Sequence, residues 1–173
     1  MTTFVLTVIG DDRAGLVKAL ADVVSENGGN WERGQLAELA GKFAGIVVVT
    51  VPPERAPALR EALAPLEGLL EVSVHAGDDD AAHDPAESRR VRLEILGNDH
   101  PGIVRAISGV LAEHGLTVTD LQTWTREAPM AGGMLFEAEA VVLVPPSADI
   151  QAVQADLERL ASEIVVGVTL APA

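Results

Sequence analysis

The chain has no cysteine and no tyrosine, three phenylalanines and two tryptophans in 173 residues. The missing thiols exclude disulfides, thiolate nucleophiles and cysteine-ligated zinc or iron–sulfur centres. With aromatics at 3% and hydrophobic residues at 48%, a packed interior must be aliphatic. Basic residues are scarce as well: 12 against 26 acidic ones, a net charge of −14. The one basic block is Arg89-Arg90 with Arg92. Nucleic-acid affinity rests on Lys and Arg neutralising phosphates, so direct DNA or RNA binding is not expected. No apolar run reaches the roughly 18 residues that a membrane span needs. The start, MTTFVLTVIGDD, has no basic leader before its apolar part, so it is not read as a signal peptide and a cytoplasmic address is expected. Two lysines against ten arginines, with abundant alanine, resemble a high-GC bacterial composition.

What the chain does have is a repeat. Moving Gly10, Asp12, Gly15, Val17 and Gly28 by 87 positions lands on Gly97, Asp99, Gly102, Val104 and Gly115. Val51-Pro52-Pro53 returns as Val144-Pro145-Pro146 at a shift of 93, so the second copy carries about six extra residues, placed in the turn at 126–133. Between the copies, residues 78–88 are acidic with little to bury and read as a linker. The expected domains are therefore residues 1–77 and 89–173. Each reads strand, helix, strand, strand, helix, strand. In copy one the strands are 4–9, 30–39, 43–51 and 70–74, with a helix on Leu16, Ala19, Leu20, Val23 and Val24 and another opened by Pro53. In copy two the strands are 91–96, those from Thr117 and Met134, and 164–170, with helices on Ile103, Val104, Ile107, Val110 and Leu111 and from Ser147. The fold class is α+β: two ferredoxin-like βαββαβ units, antiparallel sheets with helices on one face. Units of about 75 residues with an uncovered sheet are expected to pair, within the chain or as a homo-oligomer.

The repeated stretches IGDDRAGLV (9–17) and LGNDHPGIV (96–104) are the candidate chemistry. A helix starting after Asp12 or Asp99 presents unpaired N–H groups and a positive dipole end, which suit a carboxylate. The Asp side chain suits an ammonium group, and Gly15 and Gly102 permit close approach. Together these describe a zwitterion site. The alternative is structural: Asp ahead of a helix as its N-cap, with Pro101 at a first-turn position. Both roles remain open. Asn30 and Thr117 start the second strand of each copy and add polar atoms. Trp31 and Trp124 read as packing or interface residues.

Enzyme constellations are absent from the sequence. No serine lies in G-x-S-x-G, no phosphate loop or dinucleotide fingerprint occurs, and His75, His83, His100 and His114 lack metal spacing. The run Asp78-Asp79-Asp80…His83-Asp84 reads as solvated rather than metal-binding. Glu137 and Glu139 share a solvent-facing strand face. The chain is expected to be no enzyme, with no cofactor and no metal.

Two βαββαβ units, each with a G-x-D-x-[PA]-G-[LI]-V turn, resemble tandem ACT domains, small amino-acid-sensing modules. Without a catalytic domain the chain is most similar to the bacterial glycine cleavage system transcriptional repressor group. The resemblance implies an amino acid, glycine- or serine-like, held between paired domains. It implicates Asp12, Ala14, Gly15, Leu16 and Asn30 in copy one, and Asp99, Pro101, Gly102, Ile103 and Thr117 in copy two. Ala14 replaces the usual proline, and Thr117 the common asparagine. It also implies a regulatory protein that acts on a partner protein, in transcriptional control of glycine or amino-acid metabolism. The alternative is an interaction and dimerisation module with no small-molecule ligand.

Overall fold

The computed structural model describes residues 1–66, 68–77, 88–129 and 132–173. Of the expected linker, 78–88, residues 78–87 with the acidic run lie outside the described residues. The chain divides into two compact units, Met1–Ala82 and His83–Ala173.

In the first unit, β1 (Thr2–Asp11) leads into α1 (Leu16–Glu26), then β2 (Asn30–Leu39) and β3 (Lys42–Val51). A 3₁₀ turn at Pro53–Arg55, α2 (Ala56–Leu63), a second 3₁₀ turn at Ala64–Leu66 and β4 (Glu71–Ala76) complete it. The antiparallel sheet has the order β2-β3-β1-β4. Phe4, Leu6 and Val8 on β1 and Val47, Val49 and Val51 on β3 alternate onto one face and are buried. Leu16, Leu20 and Val24 recur every fourth residue on α1 and cover that face with Leu59 and Leu63 of α2. The core is aliphatic apart from Phe4, as the composition requires.

The second unit repeats the plan: β5 (Arg89–Asn98), α3 (Ile103–Glu113), β6 (Thr117–Glu127), β7 (Met134–Val144), α4 (Ile150–Ile164) and β8 (Val166–Pro172). Its sheet order is β6-β7-β5-β8. Val91, Leu93 and Ile95 pack against Ile103, Ile107 and Leu111 of α3 and Val153 and Leu157 of α4. The correspondence extends to irregularities: β2 bulges between Trp31 and Arg33, and β6 between Val118 and Asp120.

The ferredoxin-like α+β class stands, and element ends are the main corrections. The run Ile164-Val165-Val166 was expected to open the last strand because β-branched residues favour strands. Instead α4 continues through Ile164, carried by its buried stripe of Val153, Leu157 and Ala161, and stops at Val165 in a left-handed conformation, φ 56. The helix expected from Ser147 begins at Ile150, where Asp149 Oδ1 accepts from the N–H groups of Gln151 (2.9 Å) and Ala152 (3.3 Å). Pro53 opens a 3₁₀ turn rather than an α-helix.

Candidate functional site

The two acidic turns are built alike. β1 runs on through Asp11, and the N–H of Asp12 donates to the carbonyl of Gly41 at 2.9 Å. The matching bond runs from Asp99 N–H to the carbonyl of Met134 at 2.8 Å. Each turn is thereby tied to the hairpin side of its own sheet. The chain then makes one more turn before the helix starts.

The N-cap positions are Gly15 (φ 93, ψ 0) and Gly102 (φ 97, ψ −2). Neither helix has a side-chain cap, so Asp12 and Asp99 are not N-caps; they stand three residues ahead of the capping position. Within the same chain Asp149 caps α4, and the contrast is informative. A Cβ on Gly15 or Gly102 would meet nothing within 4 Å. The left-handed backbone, not crowding, therefore demands glycine there. Among the described residues, no side chain accepts from the first-turn N–H groups of α1 and α3, and Asp12, Ala14, Asp99 and Pro101 are exposed beside them. Leu16 and Ile103 are 3% and 2% exposed, so their side chains belong to the cores.

A second feature common to both turns was not foreseen. Arg13 donates from a terminal guanidinium nitrogen to the carbonyl of Gly68 at 2.5 Å. At the same place in the second unit, His100 Nε2 lies 2.9 Å from the carbonyl of Ile164, and Nδ1 lies 3.1 Å from that of Pro101. Each latch fastens its turn to the segment that precedes the last strand. Two carbonyl acceptors favour the doubly protonated ring, and they raise the His100 pKa, the Ile164 bond contributing most and Asp99 adding to it.

Asn30 and Thr117 are not brought to these turns within a unit. Asn30 pairs with Thr50, which pairs with Thr3, whereas Lys42 pairs with Asp11 at the far end of β1. The eight residues between those rows span roughly 26 Å of strand. Thr117 stands likewise, in register with Leu143 and Arg90, eight residues from Asn98. Asn30 Nδ2 donates to Glu32 Oε1 at 2.8 Å, and Thr50 Oγ1 donates to the same oxygen at 2.7 Å. Those bonds, Thr50's first, lower the pKa of Glu32.

Beside the first turn lies a pocket of about 280 Å³ lined by Asp11, Arg13, Lys42, Leu69 and Glu71. Lys42 pairs with Asp11, which lowers the pKa of Asp11 and raises that of Lys42, the hydrogen bond being the larger cause. At the same register the second unit carries Asn98, Leu135 and Gly167, without charge. Arg13, Lys42 and Glu71 come from three separate segments; the only signal in the sequence was the rarity of basic residues. Trp31 packs on its own core, and Trp124 Nε1 donates to Glu137 Oε2 at 2.7 Å. Among the described residues no three His, Asp or Glu side chains group as metal ligands, and no helix is long and apolar enough to cross a membrane.

Comparison with known proteins gives a consistent set of relatives. The ACT domain family matches twice, over residues 2–76 and 90–170. The glycine cleavage system transcriptional repressors of Escherichia coli (strain K12) and Shigella flexneri are each 24% identical over 161 residues, covering 92% of this chain and 84% of theirs. A crystal structure of an unknown protein from Galdieria sulphuraria superimposes with a TM-score of 0.89 at 31% identity, over 99% of this chain and 98% of that one. A second crystal structure, of a candidate glycine cleavage system transcriptional repressor, shares the fold at a TM-score of 0.70 and 16% identity, over 98% and 96%.

Proposed function

Because the chain belongs to the ACT domain family, with one copy over residues 2–76 and another over 90–170, we propose that it is a non-catalytic regulatory protein that binds a small amino acid and modulates a partner protein. The observation that carries this is the duplicated turn. Two helix N-termini, at Gly15 and Gly102, lack side-chain caps while an exposed aspartate stands three residues ahead of each. The N–H groups receive the ligand carboxylate, and Asp12 or Asp99 receives its ammonium. A small ligand, glycine- or serine-like, suits a site whose walls are a glycine and a short turn.

Asn30 and Thr117 lie at the other end of their own sheets, so they reach a ligand only from another domain. The two relatives named as glycine cleavage system repressors support transcriptional control of glycine or amino-acid metabolism as the setting. A net charge of −14 opposes contact with DNA. Control then runs through a DNA-binding partner protein.

A thermal-shift screen of the full chain against the twenty amino acids tests the proposal. A ligand at about 100 times its Kd adds about 2.7 kcal/mol of stability. No shift with any of them, on folded protein, sinks the sensing function and leaves an interaction module.

A further inference from the structure

The helix-free faces of the two sheets share a register and differ in chemistry. On the first sheet, Val5, Thr7 and Ile9 of β1 stand opposite Val48, Ile46 and Ala44 of β3. Their neighbours in sequence, Leu6 and Val8, Val47 and Val49, turn to the helices and are buried. Ile9 and Ile46 remain 47% and 50% exposed. A shallow trough of about 390 Å³ runs over this face, lined among others by Thr7, Ile9, Ala44, Ile46 and Glu71. The matching six positions of the second sheet are Arg92, Glu94 and Leu96 of β5 opposite Val141, Glu139 and Glu137 of β7. Four of the six are charged, and Glu94 faces Glu139 directly.

The fold itself therefore does not require neutral residues here, since the second copy has the same topology with four charges in place. In a chain of net charge −14, six central positions without a single charge set this face apart from its counterpart in the second sheet. We propose that it is covered by the same face of a second copy of this chain, so that the protein is a dimer through its first domains.

The charges at the rim select that occupant. Arg33 on β2 shares a row with Val48, Val5 and His75, and Glu71 on β4 shares one with Ile9 and Ala44. Arg33 and Glu71 thus occupy diagonally opposite corners of the patch. Four residues along the strands is roughly 13 Å and three strand spacings roughly 14 Å, so the patch is nearly square. A square patch packs on its own copy with strands crossing at near right angles, one of the two usual sheet-on-sheet geometries. A two-fold axis along the other diagonal, from Ala37 to His75, then sets each Arg33 over the partner's Glu71. Two identical ion pairs frame an apolar centre, which is the self-complementarity that a two-fold interface needs. Among the described residues, no ion pair within 4 Å occupies Arg33 or Glu71, and the charge of Glu71 acts on Lys42 only from farther off.

Sedimentation velocity of the full chain over a concentration series tests this. Wild type is expected to dimerise, and Ile46→Glu, which installs the residue type that position 139 carries in the second domain, is expected to give a monomer with an unchanged circular dichroism spectrum. Glu139→Ile should leave the dimer constant within about twofold. Arg33→Glu should weaken it about tenfold or more, and Arg33→Glu with Glu71→Arg should restore it. A wild-type monomer, with the face left to a different protein, overturns the proposal. So does an Ile46→Glu variant that dimerises as tightly as wild type, or a double charge reversal no tighter than Arg33→Glu alone.

Discussion

His100 and the carbonyl of Ile164 are joined at 2.9 Å, a contact that fastens the second acidic turn to the segment ahead of the last strand. With Nδ1 also facing the Pro101 carbonyl, the ring completes both bonds only when it carries two N–H groups. Its folded pKa is raised. A raised pKa means stability that is fully present below the unfolded imidazole value and lost as pH rises through the folded one. Replacing His100 with glutamine should therefore flatten part of the pH dependence from about pH 6.5, the free imidazole value, upward. Denaturant midpoints of wild type and variant across that range are the readout. Parallel curves would contradict the latch.

The glycines at the helix starts make a sharper case. Gly102→Ala adds a methyl group where nothing lies within 4 Å, so it clashes with nothing. It still forces an L-residue to φ near 97, at a cost of about 1–2 kcal/mol. Gly15→Ala should cost the same in the first domain. Both should lower the denaturant midpoint with the m-value unchanged. Unaltered stability would mean that the turn relaxes freely and is not held in the shape described.

Val165 offers the converse. It ends α4 at φ 56, a conformation that β-branched residues disfavour, and it is 70% exposed. Val165→Gly loses little packing and relieves the backbone, so stability should rise by about 0.5–1 kcal/mol. A variant less stable than wild type would show that the exposed isopropyl group contributes more than the strain costs.

These three positions also show what was legible beforehand. The 87-residue shift gave the two βαββαβ units, because glycines at strand ends and aliphatics at helical spacing recur together. Gly15 and Gly102 stood out for the same reason. The capping assignment failed because Asp12 and Asp99 bond back to the hairpin through their own N–H groups, and that bond inserts a turn that spacing alone does not reveal. The distance from Asn30 to Asp12 was hidden too. It depends on ten-residue strands in which β2 begins at the opposite end of the sheet from the turn. The pocket of Arg13, Lys42 and Glu71 draws on three segments, and only the register of β1 with β3 and β4 brings them together.

Asn30 is the proposed site residue that its own domain holds away from the turn. Asn30→Ala should reduce amino-acid affinity while leaving the stability of the first domain within about 0.5 kcal/mol, as for an exposed surface position. Loss of the Glu32 partner is the local consequence, since Thr50 remains to hold that carboxylate. Thermal-shift amplitude against Tm of the unliganded variant separates the two effects. Equal amplitudes for variant and wild type would place Asn30 outside the site.

The central claim, amino-acid sensing at the duplicated turns, is met most directly by titration calorimetry of the full chain. Glycine and serine go into wild type, Asp12→Ala and Asp99→Ala, each checked for an unchanged circular dichroism spectrum. Saturable heat with wild type and at least tenfold weaker binding in one or both variants is the expected result; a tenfold loss corresponds to about 1.4 kcal/mol of contact with the ligand ammonium. No saturable heat from wild type, or an affinity untouched by both substitutions, contradicts it.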